Sequence, residues 1–162
     1  MNNNREAFFK ALYELAEKDD KIILIVADVG FSFIDKFIER FPKQFLNVGV
    51  TEQSMMGIAA GMALSGWKPY VYSMIPFVTM RNYEQLRNDV CYHNANVKIL
   101  GVKGSHHYKM LGMSHNLQGK ENERALLENL PNLKQFYPDT PEKTYEVIKK
   151  SYLMNRATYT RL

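Results

Sequence analysis

Cysteine is almost missing from this sequence: Cys91 stands alone among 162 residues. A lone thiol builds neither a disulfide framework nor a four-cysteine zinc site. Long apolar runs are missing too. No stretch approaches the roughly 18 residues of a membrane-crossing helix, so no membrane partner is expected. The opening Met1-Asn2-Asn3-Asn4-Arg5-Glu6 lacks the apolar centre of a signal peptide. The simplest expectation is a cytoplasmic protein. Internal repeats and low-complexity linkers are absent as well. The length suits one domain, expected over residues 1–162.

Charge blocks are also lacking. The net charge is +4 and the pI about 9.1, values that can accompany nucleic-acid binding. Here the lysines and arginines are scattered among acidic residues, and the densest basic spot is Lys149-Lys150. No run of about five like charges occurs, so no nucleic-acid partner is expected. A modest positive excess still favours the approach of anionic small molecules.

What is present is alternation of strand and helix. Phe8, Ala11, Leu12, Leu15 and Ala16 repeat at helical spacing over residues 5–18. Ile22-Ile23-Leu24-Ile25-Val26 is a continuous apolar run, as in a strand buried on both faces. The same reading predicts helices over 33–41, 52–65, 77–93, 121–129 and 140–154. Further strands are expected over 45–48, 69–73, 97–102, 133–137 and 157–162. This order predicts an α/β fold, a doubly wound and mainly parallel sheet with helices on both faces. Functional residues then gather beyond the strand C-termini. Four loops qualify: 28–32, 49–52, 74–77 and 103–115. The last belongs to a long connection, residues 103–118, and long loops in compact domains are commonly functional.

The segment Asn47-Val48-Gly49-Val50-Thr51-Glu52-Gln53-Ser54-Met55 carries most information. A strand meets a glycine turn, and Glu52 stands at the mouth of a helix rich in small residues, Gly57-Ile58-Ala59-Ala60-Gly61. Taken locally, Glu52 is either a ligand-binding carboxylate or a first-turn acid answering the helix dipole. Phe77 is either a binding aromatic or a core residue at a helix start. Asp28, after the first strand, is either a site residue or a turn aspartate.

Several motifs in order resemble the pyrimidine-binding domain of the transketolase family of thiamine diphosphate enzymes. The segment Asn47 to Gly66 is similar to the family's strand, Gly-Ile-x-Glu-Gln turn and small-residue helix. Phe77-Val78-Thr79-Met80-Arg81-Asn82-Tyr83-Glu84-Gln85-Leu86-Arg87-Asn88-Asp89 resembles the aromatic-to-Gln-Ile-Arg-Asn helix of split transketolases. Gly112-Met113-Ser114-His115-Asn116 stands in the place of Gly-Pro/Ala-Thr-His-Gln. Leu130-Pro131-Asn132-Leu133, Tyr137-Pro138-Asp139 and the closing Tyr159-Thr160-Arg161-Leu162 continue the match.

The resemblance implies roles residue by residue. Glu52 corresponds to the glutamate that hydrogen-bonds the cofactor's aminopyrimidine ring and activates it. Phe77 corresponds to the aromatic that stacks on that ring. Asp28, Met74 and Arg81 fall near the cofactor, Met74 in place of a second aromatic. His115 matches a histidine facing substrate and joins Glu52 as catalytic. Lys103 and His106, in the same loop, are expected on the substrate side, though His106 and His107 match no family histidine. His106, His107 and His115 are close in sequence, but no Cys, Asp or Glu lies between Lys103 and Lys120, so no metal site is expected in this chain.

Departures matter equally. Lys103 and Leu111 stand where the family carries a histidine and an acidic residue. A leucine accepts no hydrogen bond from a substrate hydroxyl, so the implied substrate is a modified sugar phosphate or a 2-oxo acid. Lys103 suits a phosphate or carboxylate. The Gly-Asp-Gly…Asn motif that binds diphosphate and Mg²⁺ is absent, and so is the family's C-terminal domain. The expectation is a subunit of a split, homo- or hetero-oligomeric enzyme. It would be inactive alone, and would transfer a ketol unit once joined to a diphosphate-binding partner. A 2-oxo-acid decarboxylase component and a non-catalytic assembly domain are the alternatives.

Overall fold

A computed structural model describes residues 3–104, 109–117 and 122–162. Six strands form one sheet in the order β2-β1-β3-β4-β6-β5, all neighbours parallel. They are β1 (Ile22–Val26), β2 (Phe45–Asn47), β3 (Lys68–Met74), β4 (Lys98–Val102), β5 (Lys134–Phe136) and β6 (Thr158–Arg161). The α-helices are α1 (Asn4–Ala16), α2 (Asp35–Arg40), α3 (Glu52–Leu64), α4 (Ile75–Thr79), α5 (Tyr83–Gln85), α6 (Glu123–Leu127) and α7 (Pro141–Tyr152).

Every residue of β1 is buried, which is why its sequence does not alternate with polar residues. Its side chains do alternate between two cores. Ile22, Leu24 and Val26 pack with Phe8, Leu12, Phe37, Tyr70 and Ile148 on one face. Ile23 and Ile25 pack with Met55, Met56, Ala59, Val71 and Val90 on the other. The doubly wound reading thus holds, and no strand boundary moves by more than one residue. Capping fixes two helix starts. Asn3 accepts from the Glu6 amide at 3.0 Å ahead of α1, and Thr140 accepts from Lys143 at 3.2 Å ahead of Pro141 in α7.

One expected element is broken. The single helix over 77–93 is two pieces: α4 starts earlier, at Ile75, and the chain leaves helical geometry at Met80–Asn82. Asn82 has φ −113° and ψ 26°. It then re-enters α5 and continues as a π-helical stretch, Leu86–Tyr92. The cause is tertiary. Asn82 is buried, and its amide donates to the Glu52 carbonyl at 3.4 Å. The break turns Arg81 toward the first turn of α3. Within the connection after β4, Lys109–Ser114 forms 3₁₀ turns kinked at Gly112.

Candidate functional site

The strand order fixes where a ligand belongs. β2 and β3 lie on opposite sides of β1, so the chain reverses its winding between β1 and β3. In open α/β sheets the crevice outside the strand C-termini at this switch point is the usual ligand site. A cavity of about 190 Å³ lies there. Ala27 to Phe31 follow β1, Val50 and Glu52 follow β2, Met74 and Phe77 follow β3, and Leu111 and His115 come from the connection after β4.

Glu52 is the first residue of α3, and its side chain is only 2% exposed. It is therefore not a solvated acid at a helix mouth. Its Oε2 accepts from Arg81 Nη1 at 2.7 Å, which supplies the countercharge a buried carboxylate requires. The guanidinium also lies over Phe77, with Cζ 3.9 Å from the ring centroid. Phe77 meets His115 as well, edge to face, with centroids 4.8 Å apart and planes at 75°. The His115 Nδ1 is 2.8 Å from the Ser114 hydroxyl.

Asp28 takes a left-handed backbone, φ 53°, a conformation that aspartate tolerates better than most residues. Asn47 ties this turn to the next loop. Its Oδ1 accepts from the Asp28 and Gly49 amides, both at 3.0 Å. Gly49, φ 71°, then lets the chain turn into α3. Gly104 does comparable work across the cavity. A Cβ there would stand 2.8 Å from the His115 carbonyl and 2.9 Å from Met74 Cε, so only glycine lets the loop close against β3.

The structure therefore brings together Asp28, Glu52, Met74, Phe77 and His115, with Arg81 against Glu52 and Phe77. Lys103 is exposed and does not line the cavity; its amide donates to the Leu162 carbonyl at 3.2 Å. His106 and His107 lie outside the described residues. Sequence reading overlooked Val50, Phe31, Asn47, Asn82 and Gly104. Asn47 had a usable signal, an asparagine at a strand end just before a glycine turn. Asn82 had none, because its role depends on a neighbour 30 positions away in sequence.

A doubly wound sheet with a buried carboxylate and an aromatic face at its switch point defines a ligand-binding α/β domain. The family model described as transketolase, pyrimidine binding domain, matches residues 2–161, and the chain belongs to that family. It is 34% identical over 146 residues to an apulose-4-phosphate transketolase subunit of Phocaeicola vulgatus, across 90% of this chain and 46% of that protein. It is 30% identical over 135 residues to a 6-deoxy-6-sulfo-D-fructose transketolase subunit of a Clostridium species, across 83% of this chain and 41% of that one. A solved structure described as a split gene transketolase, inactive beta4 tetramer, matches with TM-score 0.85 at 34% identity, over 99% of this chain and 51% of that chain. The chain spans about half the length of these curated relatives. Among the described residues, no helix is long and apolar enough to cross a membrane.

Proposed function

We propose that this chain forms the pyrimidine-binding half of a thiamine diphosphate site in a cytoplasmic, oligomeric, transketolase-like enzyme. The convergence of buried Glu52 and Phe77 on one cavity at the switch point carries this reading. The residues suit the group. A flat, nitrogen-rich guanidinium already lies on Phe77 while donating to Glu52, so the pair accepts a planar donor of that kind. When bound, thiamine diphosphate supplies the carbon nucleophile for ketol transfer. Phe77 offers its ring face, Met74 and the turn at Asp28 close two sides, and Glu52 holds or shares a proton at the edge of the pyrimidine. His115 stands beside Phe77, in reach of a substrate entering past Leu111.

The diphosphate and Mg²⁺ would be held by a partner subunit. Relatives that are themselves named as transketolase subunits favour such a division. Their names specify a sugar phosphate and a sulfonated sugar, which favours a ketose bearing a terminal anion, in keeping with the +4 charge here. Leu111 at the cavity suits a substrate without a hydroxyl at that point. Affinity copurification of the tagged chain from its source cells tests the division. A stoichiometric partner carrying a Gly-Asp-Gly…Asn motif is expected. Recovery of the chain without one would contradict the proposal.

A further inference from the structure

Between β1 and α2 runs Asp28-Val29-Gly30-Phe31-Ser32, with left-handed backbone at Asp28 (φ 53°), Gly30 (φ 100°) and Ser32 (φ 73°). Glycine adopts such angles freely and aspartate tolerates them, whereas serine seldom does. Non-glycine residues keep such angles only where their surroundings hold them, and this strain gathers at ligand-binding turns. The support is visible here. Asn47 Oδ1 accepts from the Asp28 amide at 3.0 Å, and Asp35 Oδ2 from the Ser32 amide at 3.1 Å. The Gly30 carbonyl accepts from the Phe33 and Ile34 amides, both at 3.1 Å.

The turn sorts its apolar side chains. Ile34 is buried in the core and Phe33 packs against it, its ring centroid 5.7 Å from that of Phe9. Phe31 is instead 67% exposed, and so forgoes the burial that its neighbours gain. It is not a stray surface residue. Phe31 lines the cavity that holds Glu52 and Phe77, and the exposed Val50 and Leu111 line it too. Among the described residues of that lining, only Phe31 and Phe77 carry a phenyl ring. Phe77 arrives from α4 after β3 and Phe31 from the turn after β1, the neighbouring strand. A flat heteroaromatic ligand gains from each aromatic side chain it meets.

We propose, resting on the pyrimidine-site reading, that Phe31 is a second aromatic contact for the cofactor. The pinned turn holds it out of the core, so that the rings of bound thiamine diphosphate cover it. Its contribution is to affinity, and it handles no proton.

The complex of the chain with its copurified partner is titrated with thiamine diphosphate by calorimetry, and its assembly is followed by sedimentation. Phe31→Ala is expected to bind about five- to 100-fold more weakly, the range for a ring contact truncated to alanine. Phe31→Leu keeps bulk without a ring and should weaken binding about three- to tenfold. Phe31→Tyr should match the wild type. All three should assemble and melt as the wild type does, since Phe31 holds no core position. Unchanged affinity in Phe31→Ala and Phe31→Leu would overturn the inference. So would a Phe31→Ala complex that falls apart while Phe31→Leu binds normally, the result for a residue that meets the partner. Glu52→Gln and Phe77→Ala separate the inference from the reading beneath it. If both weaken thiamine diphosphate binding while Phe31→Ala does not, the second contact fails alone. If the cofactor binds no version of the complex, or ignores both substitutions, the pyrimidine site fails with it.

Discussion

The His115 and Phe77 rings meet edge to face, centroids 4.8 Å apart with planes at 75°. This contact joins the helix after β3 to the connection after β4, segments well separated in sequence. It places the histidine proposed to face substrate against the residue proposed to stack on the cofactor. Such aromatic pairs contribute about 0.5–1.5 kcal/mol beyond area burial, enough to bias the loop toward the cavity.

Gly104 should be the most sensitive position in that loop. Alanine there would place Cβ 2.8 Å from the His115 carbonyl and 2.9 Å from Met74 Cε. Gly104→Ala should cost about 1–3 kcal/mol, as overpacking does, and should weaken the Phe77–His115 contact. Urea unfolding gives the first quantity. The chemical shifts of the His115 ring protons report the second, and unchanged shifts would contradict the steric argument.

A second prediction concerns the end of the sheet. Glu123 is fully buried and takes two hydrogen bonds from Arg161, at 2.5 and 2.6 Å, and one from Tyr159 at 3.1 Å. Gly101 makes room, since a Cβ there would meet the Tyr159 ring at 2.9 Å. The pair is unequal: the Arg161 side chain is 31% exposed and that of Glu123 is 0%. Arg161→Met strands a buried carboxylate and should cost about 3–5 kcal/mol. Glu123→Leu leaves an arginine that can turn to water and should cost less. Denaturation midpoints of the two variants test the asymmetry; equal losses would refute it.

Lys98 gives a pH prediction. Its ammonium is buried at the start of β4 and donates to the Met154 and Arg156 carbonyls at 2.8 and 3.0 Å. Burial, with Lys68 adding repulsion, pushes its pKa from 10.5 down to about 7. The unfolded chain therefore holds this proton at pH values where the folded chain has released it. Stability should rise with pH from about 7 toward 10, with the penalty fully present below 7. Lys98→Met removes this contribution. Subtracting its unfolding free energy from that of the wild type, at pH 6.5 and at pH 9, should show the wild type gaining on the variant; no relative gain would contradict the assignment.

Much of this was legible in the sequence. The β1 run reads as a strand buried on both faces, and the strand-helix alternation then put Asp28, Glu52, Met74 and Phe77 on one edge. Glu52 and Phe77 were singled out by resemblance to family motifs; local pattern alone left each open between a site residue and a structural one. The break at Met80–Asn82 needed knowledge of tertiary packing. Phe77, Val78, Leu86, Val90 and Cys91 keep apolar spacing across the gap, so local periodicity predicts one helix. The long-range bond from Asn82 to Glu52 breaks it. For the same reason the position of Arg81 on Glu52 and Phe77 was not legible. Nothing local marks Lys98 for burial; the carbonyls that receive its ammonium are more than fifty positions away.

Glu52 is the residue on which the proposed chemistry turns, and one assay addresses it. The chain and its copurified diphosphate-binding partner would be tested together for thiamine diphosphate-dependent ketol transfer, as wild type and as Glu52→Gln. The substitution keeps the shape and removes the acid. A loss of about 100-fold or more in kcat is expected, the scale of positioned acid–base catalysis, with the complex still assembled. A Glu52→Gln complex that turns over at the wild-type rate would show that the carboxylate does not activate the cofactor.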